Sequence, residues 1–182
     1  RRWAPLHGDG LPRDLVGRTA MVVGWGPIGQ EIGRLLLAIG LKLVVVRRGT
    51  AAAGPGIECI RAGALVAHLP QVDWLVLACP LTPETRGLIG ARELAALPGH
   101  AGLVNVARGE VVDEAALVEA LEHERLAGAY LDVFEHEPLA AESPLWGLPN
   151  VIATPHSAGA SGGNEVRVDR MFLEHLADAG LK

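Results

Sequence analysis

The sequence has few cysteines and no long apolar run. Two cysteines, Cys59 and Cys79, occur among 182 residues; these are too few for a disulfide framework, so we expect a reducing, cytoplasmic setting. Hydrophobic residues make up 49% of the chain, yet no apolar run approaches the roughly 20 residues that cross a membrane. No signal-peptide pattern is apparent. We therefore expect no membrane association.

Positive charge is also scarce. The chain has 16 Lys and Arg against 21 Asp and Glu, a formal net charge of -5, which argues against general nucleic-acid binding. No spacing of His, Cys, Asp or Glu resembles a metal site. The length suits one domain with a substantial core. Because the first residue is Arg1 rather than methionine, we expect a fragment or part of a longer protein.

What the sequence does contain is an alternation of short apolar runs with helical patterns. Runs that are apolar on both faces, separated by helices, predict a parallel sheet covered on both sides, with right-handed crossovers. The sequence thus predicts an α/β, doubly wound, Rossmann-type fold. The predicted strands are Thr19–Gly24, Leu43–Val46, Trp74–Ala78, Leu103–Val106, Ala129–Asp132 and Val151–Ala153. The predicted helices are Ile28–Ile39, with Gly40 as its stop, Ala91–Leu97, Glu114–Glu122, with Asp113 as its N-cap, and Arg167–Leu176.

The stretch "GWGPIG" has the G-x-G-x-x-G spacing of a dinucleotide-binding turn. Gly24 permits the tight turn out of the first strand, Gly26 lets backbone approach a pyrophosphate, and Gly29 lets the helix pack on the strand. Pro27 and Ile28 complete the turn, and the helix N-terminus attracts phosphate. The motif lies between a predicted strand and a predicted helix, as such a site requires. The alternative is a glycine-rich turn that serves packing only.

The second predicted strand ends in basic residues where an acidic residue is expected to bind the ribose of NAD. Arg47, Arg48 and Thr50 stand there instead, and guanidinium groups match the oxygens of a 2′-phosphate. We therefore expect NADP(H) to be preferred over NAD. The alternative is that one arginine stacks on adenine and the site accepts either cofactor.

Three residues that follow predicted strands could perform acid–base chemistry on a carbonyl. Arg108, Glu137 and His156 are expected at the carboxyl edge of the sheet, where ligands of such folds bind. Histidine can give a proton to a carbonyl oxygen near neutral pH, a carboxylate can orient it, and arginine can bind a substrate carboxylate. The alternatives are a solvated arginine, a surface glutamate and a histidine that caps the last segment.

Five motifs in order resemble the D-isomer-specific 2-hydroxyacid dehydrogenases, a family that includes glyoxylate/hydroxypyruvate reductases. The resemblance runs from about Leu15 to the end of the chain. It implies an NAD(P)-dependent oxidoreductase acting on small 2-keto or 2-hydroxy acids, with NADP as in the NADP-using reductases of the group. The motifs are "GWGPIG", "CPLTPETRGLIG", "NVARGEVVDEAAL", "DVFEHEPL" and "TPHSAG".

The resemblance also implies roles for single residues. Arg108 matches the substrate-binding arginine, His156 the proton donor beside the nicotinamide, and Glu137 its acid partner. Asp132 matches a residue that binds the nicotinamide carboxamide. The remaining residues expected to line the cofactor are Cys79, Pro80, Thr85, Val106 and Ala107. Ala107 departs from the family, which usually has serine there, as does Ser157, where an apolar residue is usual.

The resemblance implies that a substrate domain is largely absent from this chain. We expect residues 1–182 to form the dinucleotide-binding domain, with 1–16 as a connecting segment and 161–182 as a C-terminal helix that returns to the missing domain. The family further implies a homodimer formed through the cofactor domain, and the apolar segment Leu139–Leu148 with Trp146 is one candidate surface. Two alternatives to an enzyme remain: a dinucleotide-sensing protein like the corepressors related to the family, and a degenerate paralogue used only for assembly.

Overall fold

A computed structural model gives the structure of residues 14–49, 52–178 and 180. The strands in this part of the chain are β1 (Thr19–Val23), β2 (Lys42–Val46), β3 (Glu58–Ile60), β4 (Trp74–Leu77), β5 (Gly102–Asn105), β6 (Gly128–Leu131) and β7 (Val151–Ala153). The α-helices are α1 (Pro27–Ala38), α2 (Leu65–His68), α3 (Ala91–Ala96), α4 (Glu114–Glu122) and α5 (Asn164–Asp178).

The strands form one parallel sheet in the order β3-β2-β1-β4-β5-β6-β7. The strand order reverses between β1 and β4, so connections run outward in both directions from the centre. Residues 20–23 of β1 pair in register with both neighbours, Ala20 with Leu43 and Trp74, and Val23 with Val46 and Leu77. This arrangement confirms the predicted doubly wound parallel sheet.

Alternate residues of the central strands enter two cores on opposite faces of the sheet. On β1, Met21 and Val23 belong to the larger core, whereas Ala20 and Val22 belong to the smaller one. All four are at most 3% exposed. Burial on both faces explains why the strands are almost uninterrupted runs of apolar residues rather than alternating ones.

Helix α1 is confirmed, but its apolar face is only partly covered. Ile32 and Leu36 pack against the smaller core, whereas Ile28, Leu35 and Ile39 are 61%, 49% and 49% exposed. The helix also buries Gly29 and Gly33, because the absence of side chains there lets it approach the sheet closely. The stop at Gly40 is confirmed: its φ of +90° is a left-handed conformation that favours glycine.

The short elements between Glu58 and Gln71 were not predicted. β3 has three residues and α2 four, too few for either periodicity to emerge. The last helix was predicted as Arg167–Leu176 and runs from Asn164 to Asp178; it has no buried residue, and Met171, Phe172 and Leu173 are all more than half exposed. Among the helices that the structure describes, none combines the length and the apolar character needed to cross a membrane.

Candidate active site

The predicted functional segments follow one another along the carboxyl edge of the sheet. From β2 to β7 the order is Arg47, the Gly24 turn, Cys79, Arg108 and the Glu137–His156 pair, each just after its strand. Neighbouring strands lie about 4.8 Å apart, so the five intervals from β2 to β7 span roughly 24 Å. The edge therefore has a basic end and an acid–base end, with the strand-order reversal at the glycine turn between them.

The glycine turn is built for close backbone approach. A Cβ on Gly24, whose φ is +101°, would lie 2.6 Å from the Ala78 carbonyl oxygen, and a Cβ on Gly29 would lie 2.1 Å from the Gly24 carbonyl oxygen. A Cβ on Gly26 would meet nothing within 4 Å, so open space faces the N-terminus of α1, where Pro27 and Ile28 begin the helix. This cradle fits a pyrophosphate held by helix N–H groups.

A cleft at the basic end is lined by seven of the residues predicted to bind the cofactor. Arg48 is exposed and Arg47 is half-buried, and both face the same cleft as the glycine turn. Thr50 lies outside the described residues. The predicted residues that line this cleft are Gly24, Gly26, Arg47, Arg48, Cys79, Pro80 and Thr85.

The loop after β4 closes one side of the cleft through its own hydrogen bonds. The Thr85 hydroxyl donates to the Pro80 carbonyl at 2.7 Å and accepts from the Thr82 N–H at 2.8 Å. Cys79 is 7% exposed, and burial raises the pKa of its thiol, so the thiol stays neutral. The loop is a fixed wall, and its cysteine is not an activated nucleophile.

Sequence reasoning missed Trp25 and Glu84, which also line the cleft. Glu84 brings a carboxylate to the basic end: its pKa is lowered chiefly by a hydrogen bond from the Thr82 side chain, and to a smaller degree by the charge of Arg48. Nothing in the order of motifs indicates that a residue after β4 faces one after β2. Only the adjacency of the strand ends in the sheet brings the two together.

Arg108 is presented by a loop that packs tightly against the segment leading to Glu137. A Cβ on Gly109 would lie 1.8 Å from the Phe134 carbonyl carbon, so only glycine permits this contact. Val106 and Ala107 lie between the end of β5 and Arg108, and Ala107 is 4% exposed. Neither lines the cleft described above or the one beside Glu137 and His156. The close packing brings the arginine loop beside the glutamate loop.

Glu137 and His156 are in direct contact. The Nδ1 atom of His156 lies 2.8 Å from Oε2 of Glu137, and the Phe134 N–H donates to Oε1 at 3.0 Å. The hydrogen bond from His156 is the main reason that the pKa of Glu137 is lowered, and the charge of Arg108 contributes in the same direction. Glu137 and His156 thus meet, as the sequence predicted, and line a second cleft with Trp146 and Leu139, and Arg108 is near enough for its charge to act on Glu137.

The pairing determines which ring nitrogen of His156 is free. A carboxylate only accepts hydrogen bonds, so Nδ1 carries a proton toward Glu137. Within the part of the chain that the structure describes, Nε2 has no hydrogen-bond partner, and the side chain is 48% exposed. Nε2 can therefore give a proton to a bound carbonyl or take one from an alcohol.

Asp132, predicted to bind the nicotinamide carboxamide, is buried behind the loop that carries His156. It is 2% exposed, and its carboxylate accepts from the Thr154 hydroxyl and from the N–H groups of Ser157 and Ala158. Burial alone would raise its pKa, but these three hydrogen bonds together lower it. The carboxamide role stays a prediction, whereas the observed contacts tie Asp132 to the loop that carries His156.

Comparisons with known proteins point to one family. A family model described as "D-isomer specific 2-hydroxyacid dehydrogenase, NAD binding domain" matches residues 1–158. A glyoxylate reductase of Korarchaeum cryptofilum is 38% identical over 177 residues, which cover 96% of this chain and 52% of that protein. A glyoxylate/hydroxypyruvate reductase B of Klebsiella pneumoniae is 35% identical over 179 residues, 97% of this chain and 55% of that protein. The chain spans about half the length of these curated relatives.

Solved structures with this fold include two with bound cofactor. A D-isomer specific 2-hydroxyacid dehydrogenase from Xanthobacter autotrophicus, in complex with NADPH and MES, has a TM-score of 0.84 and 39% identity, covering 100% of this chain and 73% of that chain. An NADPH-dependent glyoxylate/hydroxypyruvate reductase from Sinorhizobium meliloti, in complex with NADP and sulfate, has a TM-score of 0.83 and 35% identity. The match covers 99% of this chain and 57% of that chain. With the five motifs, the sheet and the Glu137–His156 pair, these matches show that the chain belongs to the D-isomer specific 2-hydroxyacid dehydrogenase family, as its NAD-binding domain.

Proposed function

We propose that this chain is the cofactor-binding part of a reductase that converts small 2-keto acids, such as glyoxylate or hydroxypyruvate, to 2-hydroxy acids. The observation that carries the proposal is the hydrogen bond between His156 Nδ1 and Glu137 Oε2, 2.8 Å long, beside Arg108. Related proteins with 35–38% identity are named glyoxylate or glyoxylate/hydroxypyruvate reductases, which supports this substrate class.

Each of the three residues has one task in the proposed reaction. Arg108 binds the substrate carboxylate and polarises the neighbouring carbonyl. His156 donates the Nε2 proton to the carbonyl oxygen, and Glu137 stabilises the charged ring and holds its orientation. The nicotinamide cofactor, when bound, supplies the hydride. In the oxidative direction, neutral His156 accepts the alcohol proton at the same nitrogen.

We further propose NADP(H) as the preferred cofactor. Arg47 and Arg48 line the cleft that contains the glycine turn, and no acidic residue lies between Lys42 and Gly56. The two solved relatives described above contain NADPH and NADP, which supports the proposal. The negative charge of Glu84 in the same cleft would repel a 2′-phosphate, so the attraction by the two arginines must exceed this repulsion.

The cofactor preference is tested by Arg47→Ala and Arg48→Ala in the full-length protein. Loss of a charge-assisted hydrogen bond to phosphate should raise the Kd for NADPH about 10- to 100-fold and leave that for NADH little changed. Arg34→Ala is the matched control, since Arg34 pairs with Glu31 on the exposed side of α1. Equal losses for both cofactors, or a wild-type preference for NADH, would end this part of the proposal.

The reaction itself is tested by His156→Ala in the full-length protein. An enzyme loses turnover of glyoxylate or hydroxypyruvate while its affinity for NADPH is kept. A dinucleotide-sensing protein or a degenerate paralogue would show no turnover before the substitution and no change after it. Either of those results contradicts the reductase proposal.

The domain organisation and assembly belong to the same proposal. We propose that residues 1–182 form the cofactor domain, that 1–16 connect it to a substrate domain and that 161–182 return to that domain; the exposed apolar residues of α5 support a partner there. The isolated chain should then bind dinucleotide weakly and turn over little.

We also propose a cytoplasmic homodimer, with Leu139–Leu148 as part of its surface; Trp146 in this segment is 56% exposed.

A further inference from the structure

Two buried polar side chains lie side by side behind the proposed site. Among the residues that the structure describes, Asn105 and Asp132 are the only polar or charged ones classed as buried, with 1% and 2% exposure. Asn105 is the last residue of β5 and Asp132 directly follows the adjacent strand β6, and the Asp132 N–H donates to the Asn105 carbonyl at 3.0 Å. A buried polar group is costly unless it is hydrogen-bonded, so its partners indicate its purpose.

All the side-chain partners of Asp132 belong to the loop that carries His156. The Ser157 and Ala158 N–H groups donate to Oδ1 and Oδ2 at 2.8 and 2.9 Å, and the Thr154 hydroxyl donates to Oδ1 at 2.5 Å. The backbone adds a fourth bond, from the His156 N–H to the Asp132 carbonyl at 2.8 Å. Three successive N–H groups, 156 to 158, therefore converge on this one residue.

The conformation of His156 explains why the loop needs such an anchor. Its φ is +51°, in the left-handed region that a residue other than glycine adopts only at a cost. Successive N–H groups around a left-handed residue form a concave backbone that favours an anion. The Asp132 carboxylate is that anion. Its bonds stabilise the conformation that turns the ring of His156 toward Glu137.

Asn105 makes the corresponding contacts with the loop that carries Arg108. Its Oδ1 accepts from the Ala107 N–H at 3.0 Å, and its Nδ2 donates to the Arg108 carbonyl at 3.1 Å. Both Asn105 and Asp132 thus bond to backbone groups at or next to a residue with a proposed role in the reaction, rather than to that residue's side chain.

We infer that Asp132 and Asn105 are a linked pair of positioning residues, of which Asp132 sets the orientation of His156 and Asn105 that of Arg108. The catalytic consequence rests on the proposed function, but the structural one does not. The inference differs from the carboxamide role suggested for Asp132 by resemblance, because it concerns the hydrogen bonds between the carboxylate and the loop that carries His156.

The structural part is tested by amide hydrogen exchange in the 182-residue chain carrying Asp132→Asn. The amide oxygen can replace one carboxylate oxygen, but the new NH₂ group faces an N–H donor. Exchange at Ser157 or Ala158 should then become about 10- to 100-fold faster, as expected for the loss of a hydrogen bond to a charged group. If Asp132→Asn does not fold, Thr154→Val removes only the hydroxyl donor and should act in the same direction more weakly.

Asp73→Asn is the matched control. Asp73 also accepts a backbone N–H, that of Thr19 at 2.8 Å, but lies at the opposite edge of the sheet. Its substitution should lower the Tm without changing exchange at 157–158. Unchanged exchange in Asp132→Asn, or equal acceleration in both variants, would overturn the inference whether or not the protein is a reductase.

The catalytic consequence is tested by steady-state kinetics of the full-length protein, in which substitutions of the two residues should change different constants. Asp132→Asn should lower kcat about 10- to 100-fold, because a proton donor displaced by about 1 Å loses that much, and keep the Kd for NADPH. Asn105→Ala should chiefly raise KM for the keto acid, since Arg108 binds its carboxylate. If the Kd for NADPH in Asp132→Asn rises by the same factor as kcat falls, Asp132 belongs to cofactor binding, and the inference is contradicted.

Discussion

The two edges of the sheet each carry a histidine paired with a carboxylate. At the carboxyl edge His156 Nδ1 lies 2.8 Å from Glu137 Oε2, and at the amino edge His100 Nε2 lies 3.0 Å from Asp73 Oδ1. The distances hardly differ, but the surroundings do. Asp73 also accepts a hydrogen bond from the Thr19 N–H, and Arg18 lies 3.5 Å away. Its bonds therefore hold the segment before β4 against the start of β1.

The pair at the carboxyl edge is directed outward instead. Its side chains are 35% and 48% exposed, whereas Asp73 is 15% exposed, and it lines a cleft next to the Arg108 loop. A histidine–carboxylate distance alone therefore does not identify an active site. What distinguishes this pair is the cleft that it lines and its position at the edge of the sheet that carries the glycine turn.

The largest expected difference between the edges is in turnover. His156→Gln in the full-length protein should lower kcat for glyoxylate reduction about 10²- to 10⁴-fold, since it removes the proposed general acid, whereas His100→Gln should leave kcat unchanged. Steady-state rates at saturating NADPH measure this difference. Comparable losses in both variants would remove the functional distinction between the two pairs.

The next difference concerns the glycines beside the two pairs. Gly109→Ala should destabilise the fold by roughly 3 kcal/mol or more, because the new Cβ would overlap the Phe134 backbone. Gly99→Ala, next to His100, has nothing within 4 Å and should change stability by less than about 1 kcal/mol. Urea unfolding of the chain measures both. A tolerated Gly109→Ala would mean that the contact between the Arg108 and Glu137 loops is not needed.

A third, smaller effect reverses the comparison. Asp73→Asn should lower the free energy of unfolding by about 1–3 kcal/mol, because a part-buried acceptor loses its charge beside Thr19, Arg18 and His100. Glu137→Gln should lower it by less than about 1 kcal/mol, since its pair is more exposed. Thermal unfolding of both variants provides the test. A greater loss of stability in Glu137→Gln than in Asp73→Asn would contradict the structural role assigned to Asp73 at the amino edge.

The smallest effect is a pH dependence specific to Glu137. Its pKa in the folded chain lies below the ordinary value of 4.5, chiefly because of the hydrogen bond from His156. The ionised form therefore stabilises the fold at neutral pH, and this contribution is lost as the pH falls through the lowered pKa. The stability gap between wild type and Glu137→Gln should narrow below pH 4.5. A gap that is constant from neutral pH to pH 3 contradicts the assigned cause.

Much of this edge could be predicted because it follows from strand order. Buried strands are near-continuous apolar runs, so β1, β2 and β4–β7 were found to within one or two residues. Residues that follow parallel strands meet at one edge, which brought Arg108, Glu137 and His156 together in the sequence-based prediction. The three-residue β3 was not predicted, because so short a segment shows no periodicity. The partial exposure of the apolar face of α1 was not predicted either, because packing through glycines leaves no apolar signal in the sequence.

The support behind the site could not be predicted in the same way. The contact of Gly109 with Phe134 and the left-handed φ of His156 depend on how loops from different strands fold against one another. Asn105 was part of a quoted motif, but nothing in its spacing indicates that its amide bonds to the backbone around Arg108. Asp132 was assigned a role by resemblance, and its bonds to the 154–158 loop became evident only from the structure.

The proposed reductase chemistry depends most directly on where a keto acid binds relative to His156 Nε2 and Arg108. A crystal structure of the full-length protein with NADP and oxamate, an unreactive 2-keto acid analogue, measures this. We expect the oxamate carboxylate on the Arg108 guanidinium and its amide carbonyl oxygen, which stands in for the keto oxygen, within about 3.2 Å of His156 Nε2. Oxamate bound with that oxygen out of reach of Nε2, in an ordered and closed site, would contradict the proposed reductase chemistry.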